Sequence, residues 1–269
     1  GAVAAPAEAQ ADRTAAWQAA SAYVLLSLLH RHVLRVLAAS GAAPPPHGLV
    51  AMLHVAAFLP AAIVEVTRGG LRGVSFSLVG VVVAAEIVSW TTLGHLAAAG
   101  QLALTVALLS GMAVPYTMAL SAVLLKRRFT MLAWVGALLV AAGVACCGLR
   151  PLVTITGAAQ GALLVGALVV PAFALIGREA LLTGSRPVGI AGGALMMSAV
   201  QLAAGAVLPS WPAPGAPSWT EALALLWSPG AGALWLHVLA SGGLRLSLAW
   251  ALRASSAPTV QLLNAMAVP

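Results

Sequence analysis

The segment TVALLSGMAVP, from Thr105 to Pro115, returns at the end of the chain as TVQLLNAMAVP, from Thr259 to Pro269. The copies match without a gap and differ only at Ala107/Gln261, Ser110/Asn264 and Gly111/Ala265. Composition alone does not explain a gapless match that ends on the same proline. Both copies lie in hydrophobic stretches, and internal duplication of membrane spans is the architecture of secondary transporters. The repeat therefore predicts a duplicated membrane protein.

The composition also indicates a membrane protein. Of the 269 residues, 61% are hydrophobic and 7% are charged, whereas a soluble domain has about 25% charged residues. The net charge of +7 comes from basic residues between apolar segments, so the lipid bilayer, and not nucleic acid, is the expected partner. Cys146 and Cys147 are neighbours in an apolar run and are interpreted as packing residues. Neither a metal site nor a cofactor is expected.

Eight apolar segments have the length, about 17–25 residues, that crosses a bilayer as a helix. These spans one to eight cover residues 17–37, 48–66, 74–93, 100–125, 131–149, 155–177, 188–208 and 232–252. A ninth span begins near Ser256 and stops at Pro269. We therefore expect the chain to be a fragment that lacks the rest of span nine.

The basic residues predict the orientation. Nine lie on the side of the N-terminus, namely Arg13, Arg68, Arg72, Lys126, Arg127, Arg128, Arg178, Arg186 and Arg253, and three lie on the other side, namely Arg31, Arg35 and Arg150. The positive-inside rule then places the N-terminus on the cytoplasmic or equivalent side. The connector 209–231 falls on the far side, where its tryptophans among prolines predict a helix at the lipid headgroups.

The positions of the repeat determine the expected architecture. Its copies lie in spans four and nine, and an offset of five spans means that they cross in opposite directions. We expect an all-α membrane protein with ten helices in two inverted five-helix halves. Residues 1–16 are a polar tail, 17–149 the first repeat, and 155–269 the second repeat, truncated in span nine. The substrate site is expected near mid-bilayer, where the two repeat helices face each other.

Polar residues along the repeat helices are candidates for the walls of a substrate cavity. They are Gln101, Thr105, Ser110 and Pro115 in span four, and Thr259, Gln261, Asn264 and Pro269 in span nine. Gln101 and Thr105 are four residues apart and share a helix face, and the prolines free backbone carbonyls for ligands or for bending. The alternative interpretation is that these side chains are hydrogen-bonding contacts between packed helices.

Charged residues inside spans are a sharper signal, because each costs at least ~2.5 kcal/mol at the bilayer centre. Glu86 lies in the middle of span three and Arg245 in the middle of span eight, with His237 on nearly the same face as Arg245. They are interpreted as a substrate or proton site, and the alternative is a structural ion pair between Glu86 and Arg245. His54 in span two is interpreted as an interior histidine with satisfied hydrogen bonds.

An enzyme is not expected. Asp12 is the only aspartate, so an aspartyl dyad is impossible, and the chain has neither a His-Glu-x-x-His motif nor a phosphate-binding Gly-x-x-x-x-Gly-Lys loop. Ser110 and Ser241 each precede a glycine, and histidines are available in the spans. An intramembrane serine hydrolase is therefore kept as a remote alternative.

Several short motifs in order carry a family resemblance. They are MAVPYTM (112–118), LLKRRF (124–129), WVGA (134–137), PAFA followed by REA (171–180) and HVLR (32–35). In this order and spacing they resemble the drug/metabolite transporter superfamily, and within it the chloroquine-resistance-transporter-like family. The resemblance implies ten helices in inverted repeats, alternating access, and a central cavity lined partly by spans four and nine.

The members that this chain resembles include vacuolar carriers of cationic drugs and peptides, and plastid-envelope carriers of glutathione and γ-glutamylcysteine. The resemblance thus implies a plastid envelope or vacuole-type membrane. The chain departs from the vacuolar members in two ways. It has no cysteine in the connector 209–231, and it has Arg245 where the cation carriers have acidic residues. An arginine in the cavity favours an anionic or zwitterionic substrate.

The function expected is a secondary transporter for a small polar organic solute, with thiol peptides such as glutathione as the leading substrate. Arg245 would bind a carboxylate, and Glu86 would bind the amine or take up the coupling proton. The alternative within transport is a carrier or exporter of cationic metabolites or drugs, in which Glu86 and Glu179 attract the cation.

Overall fold

The computed structural model describes residues 6–40, 47–69, 75–98, 102–153, 158–184, 188–207, 219–228 and 231–266, which form helices and short connections without any strand. The helices are α1 (Pro6–Ala39), α2 (His47–Gly69), α3 (Phe76–Ala98), α4 (Leu102–Leu124), α5 (Met131–Val153), α6 (Ala158–Thr183), α7 (Ile190–Val207), α8 (Trp219–Leu226), α9 (Gly232–Ala254) and α10 (Ala257–Met266). The predicted all-α class is confirmed.

Each predicted span corresponds to one long helix, with spans one to seven in α1–α7, span eight in α9 and the start of span nine in α10. The connector between spans seven and eight contains the helix predicted there, α8. Helix α1 begins at Pro6, so most of the predicted polar tail is helical. Alanine, glutamate and glutamine in this segment favour helix, and proline is tolerated in a first helical turn.

Length and apolar composition single out one segment of the described residues, Gly48–Arg68 in α2, as able to cross a membrane. Four other apolar helical segments are shorter, namely Ser77–Ser89, Gly111–Leu124, Met131–Val144 and Ile190–Ala203. The passage of several helices through a membrane stays a prediction.

Three pairs of helices pack along most of their length: α2 with α7, α1 with α9, and α3 with α6. Helices α2 and α7 are antiparallel, because Glu65 near the end of α2 accepts hydrogen bonds from Ala191 N (3.1 Å) and Gly192 N (2.9 Å) at the start of α7. Helices α1 and α9 are antiparallel as well, since Leu26 lies beside Gly243 and the later His30 lies beside the earlier His237.

The packing has an internal correspondence. Helices at equivalent positions of the two predicted repeats are α1 and α6, α2 and α7, α3 and α9, and α4 and α10. When each helix is replaced by its equivalent, the α1–α9 pair becomes the α6–α3 pair. The same exchange returns the α2–α7 and α4–α10 pairs to themselves, and it relates α3–α7 to α2–α9 and α4–α6 to α1–α10. All of these pairs are in contact.

The main apolar core is assembled from α1, α2, α6, α7, α9 and α10, with Tyr23, Phe58, Leu182, Met197 and Leu252 among its buried side chains. A smaller cluster joins the starts of α2 and α9 to α8 through Leu49, Leu226 and Val238. Between these apolar groups the interior contains several buried polar and charged side chains, which form the site described next.

Candidate functional site

Arg245 on α9 is partly buried at the junction of α2, α7 and α9. Its Nη1 donates hydrogen bonds to His54 Nδ1 (2.5 Å) and Ser198 Oγ (2.8 Å), and its Nη2 donates to Gln201 Oε1. Gly242 allows α9 to approach α2, because a Cβ there would lie 3.0 Å from His54 Nε2. All three acceptors are neutral, so the described residues provide this guanidinium with no carboxylate partner.

The contacts of His54 determine its tautomer. Arginine can only donate, so Nδ1 of His54 is an acceptor and the ring proton is on Nε2. Nε2 then donates to the backbone carbonyl of Val238 at 2.7 Å. Ser241 Oγ lies 3.4 Å from Nε2 but donates to the same carbonyl at 3.0 Å. His54 is therefore neutral and oriented by two contacts with α9.

A cavity of about 250 Å³ opens beside Arg245 between α1, α6, α7 and α9. The polar residues in its wall are Tyr23, His30, Arg178, Gln201, His237, Ser241 and Arg245. The rings of His30 and His237 stack with centroids 5.0 Å apart. His237 is 3% exposed, and its Nδ1 has no hydrogen-bond partner among the described residues. The cavity wall thus contains two arginines and a buried imidazole that can bind a polar ligand.

A second cavity of about 190 Å³ adjoins the first and shares Tyr23, Arg178 and Leu248 with it. Its polar wall is completed by Glu86, Ser89, Gln261 and Asn264. Asn264 Oδ1 accepts a hydrogen bond from Arg31 Nη2 at 3.4 Å. Arg245 and the two histidines thus lie in the wall of the first cavity, and Gln261 and Asn264 lie in the wall of the second.

Glu86 forms an ion pair with Arg178 on α6. The alternative predicted from the sequence, an ion pair between Glu86 and Arg245, is wrong. Helix α3 packs along α6, so Glu86 faces the end of α6, whereas Arg245 faces α2 and α7. Arg178 lines both cavities, and its Nε has no hydrogen-bond partner within the described parts of the chain.

Two further carboxylates bind helix N-termini, where backbone N–H groups favour a negative charge. Glu65 accepts from the first residues of α7, and Glu179 accepts from Ala257 N at 2.7 Å at the start of α10. Glu179 also forms an ion pair with Arg127. These acids hold helix ends together and do not line either of the two cavities.

The structure brings five of the predicted site residues to the two cavities: His237 and Arg245 to the first, and Glu86, Gln261 and Asn264 to the second. Thr259 instead lines an apolar cavity of about 330 Å³ between α4, α5 and α10, and Pro115 is half-buried within α4. Gln101 and Pro269 lie outside the described residues. Thr105 and Ser110 lie in α4, but their side chains are outside the described part of the structure.

Sequence reasoning missed the roles of Arg178, Ser198 and Gln201, and it did not connect His54 with Arg245. Arg178 was counted among the basic residues outside the spans, although α6 continues past it to Thr183. Gln201 has a carboxamide within an apolar span, as Gln261 and Asn264 do in span nine. This position in the sequence is the signal that indicates a polar contact inside the protein.

No family model matches this chain, and no curated protein matches it. Among the described residues, no group of three or more His, Cys, Asp or Glu is placed to hold a metal ion. The geometry of the two cavities is therefore the basis for a functional assignment.

Proposed function

We propose that the protein is a membrane-embedded secondary transporter that moves a small anionic or zwitterionic organic solute by alternating access. The observation that carries this proposal is Arg245, which lines a cavity and has only neutral partners within the described chain. Three of its five N–H groups are donated to protein acceptors, which leaves Nε–H and one Nη2–H for a ligand. A carboxylate matches such paired donors and supplies the missing counter-charge.

The distribution of polar and apolar side chains supports a location in the bilayer. On α5, Leu132, Leu138 and Leu139 are 81%, 63% and 68% exposed, while Glu86 and Glu179 in the interior are 7% and 0% exposed. Water-soluble monomers rarely expose large apolar patches, and they keep charged groups outside. The opposite arrangement is typical of a protein whose surface faces lipid.

The helix packing supports an inverted duplication. Helices related by an in-plane two-fold axis must be antiparallel, as α2 and α7 are. The correspondence between the α1–α9 and α3–α6 pairs is also expected from two halves exchanged by such an axis. Together with the repeated TVxLL and MAVP sequences, this argues for the architecture of the drug/metabolite transporter superfamily and its chloroquine-resistance-transporter-like members.

The two neighbouring cavities together suit a peptide-sized solute. A carboxylate at Arg245 would place the rest of the molecule near Ser89, Gln261 and Asn264, whose side chains can bond amide groups. Glu86, already paired with Arg178, is available to an amine only if that pair opens. We therefore keep glutathione and γ-glutamylcysteine as leading substrates, in a plastid envelope or vacuole-type membrane.

The test is uptake of labelled glutathione into proteoliposomes, with a labelled cationic amine assayed in parallel. Arg245→Gln is expected to reduce glutathione uptake at least tenfold. A loss of about 1.4 kcal/mol of binding free energy already lowers the affinity by a factor of ten. Arg253→Gln is the matched control, since Arg253 is an exposed arginine on the same helix. If glutathione uptake persists in Arg245→Gln, Arg245 does not bind the substrate carboxylate.

Neither alternative is favoured by a specific contact. A cation carrier is not favoured, because both Glu86 and Glu179 already have arginine partners. Amine uptake without glutathione uptake would instead argue for a cationic substrate. For a serine hydrolase, His54 carries its proton on the nitrogen nearest Ser241 and cannot accept the hydroxyl proton there. Labelling of Ser241 by a fluorophosphonate would argue for the hydrolase.

A further inference from the structure

His54 lies between the cavity arginine and the backbone of α9, and these two neighbours keep it neutral. Arg245 Nη1 donates to Nδ1 at 2.5 Å, and Nε2–H donates to the Val238 carbonyl at 2.7 Å. A proton on Nδ1 would remove the lone pair that Arg245 uses. It would also place two cations side by side in a site from which water is largely excluded, which is unfavourable without a counter-ion.

No acid in the described part of the chain faces His54. The ionisable groups that face it are Arg245 and His237, both on α9, and α7 contributes only uncharged polar side chains. Helix α8 meets α2 through Leu226, and its acid, Glu221, is exposed. The counter-charge that would permit protonation of His54 must therefore come with a ligand.

We infer that His54 takes up the coupling proton of transport, and that it does so when the substrate carboxylate binds Arg245. This inference rests on the proposed function. The carboxylate, bound to the Nε–H and the remaining Nη2–H of Arg245, neutralises the guanidinium and so removes the cost of a second positive charge beside it. A proton from the aqueous phase then bonds to the Nδ1 lone pair, the hydrogen bond from Arg245 Nη1 to Nδ1 breaks, and Nε2–H continues to donate to Val238.

Proton binding and anion binding at this site consequently favour each other by the same factor, as thermodynamic linkage requires. Glu86 is the less suitable proton acceptor, because its carboxylate is already paired with Arg178. With one proton taken up for each monoanion, such as glutathione, transport carries no net charge. The equilibrium accumulation ratio then rises about tenfold for each pH unit across the membrane.

The decisive variant is His54→Asn, whose carboxamide oxygen can stand near the Nδ1 position and accept from Arg245 but takes up no proton. Exchange of labelled glutathione across proteoliposomes without a pH gradient should persist in this variant. Accumulation driven by an acidic exterior should be lost. His32→Asn, which changes an exposed histidine on α1, should behave as the wild type. If His54→Asn does not fold, proton uptake by the detergent-solubilised wild type on addition of glutathione provides a second measurement.

The outcomes separate the two proposals. Glutathione accumulation by the wild type that does not respond to the pH gradient, or gradient-driven accumulation that survives in His54→Asn, overturns the role of His54 and leaves the transporter standing. Absence of proton uptake on glutathione binding overturns it as well. A wild-type protein that exchanges no glutathione removes both the proposed function and the inference drawn from it.

Discussion

At the scale of single residues, the ion pair between Glu86 and Arg178 is a sensitive point of the interior. Both side chains are largely buried, 9% and 13% exposed, so removing one of them leaves the other charge poorly hydrated and without its partner. Removing one partner of a buried pair costs about 3–5 kcal/mol, whereas replacing both partners by apolar groups is often nearly neutral.

Glu86→Gln should therefore lower the thermal unfolding temperature of the purified protein substantially. The double variant Glu86→Gln/Arg178→Met should recover most of this loss, because it no longer buries an unpaired guanidinium. The measurement is the unfolding midpoint in detergent for the wild type, both single variants and the double variant. Equal midpoints for Glu86→Gln and the wild type would contradict a structural contribution of the pair.

At the scale of helices, the junction of α2 and α7 depends on a glycine. A Cβ at Gly189 would run into the Glu65 carboxylate, which binds the N–H groups of Ala191 and Gly192. Overpacking of this kind typically costs about 1–3 kcal/mol. Gly189→Ala is therefore expected to destabilise the fold and to weaken the contact between α2 and α7.

Gly136→Ala is the matched control, because a Cβ at Gly136 on α5 meets nothing within 4 Å. It should leave stability unchanged or raise it by about 0.5–1 kcal/mol through helix propensity. The two variants are compared by their unfolding midpoints. A Gly189→Ala variant as stable as Gly136→Ala would show that Glu65 moves aside without loss.

The same scale shows what the sequence could and could not predict. Apolar length located the eight long helices, and the tryptophans among prolines located α8. Periodicity assigns residues to a face of their own helix but not to a partner helix, so the Glu86–Arg178 pair and the Arg245–His54 contact could not be predicted. The two cavities likewise depend on how α1, α2, α3, α6, α7, α9 and α10 meet.

At the scale of the whole molecule, the proposed membrane topology makes a prediction that does not depend on the substrate. Three predicted spans, in α5, α6 and α7, separate Arg128 from Trp227, and both residues are exposed. An odd number of crossings must place them on opposite sides of a membrane. In a chain with Cys146 and Cys147 replaced by alanine, a membrane-impermeant maleimide should thus reach Arg128→Cys and Trp227→Cys from opposite sides.

The positive-inside distribution further predicts which side each cysteine faces. In intact cells that expose the outer side, Trp227→Cys should react at once, and Arg128→Cys should react only after permeabilisation. Both cysteines should react in detergent, and this control shows that neither is protected from the maleimide by burial within the protein. Labelling of both cysteines from one side would contradict the three crossings and, with them, the inverted arrangement of α4 and α10. The cavity beside Arg245 would then need a different explanation, because alternating access requires that its helices separate the two aqueous phases.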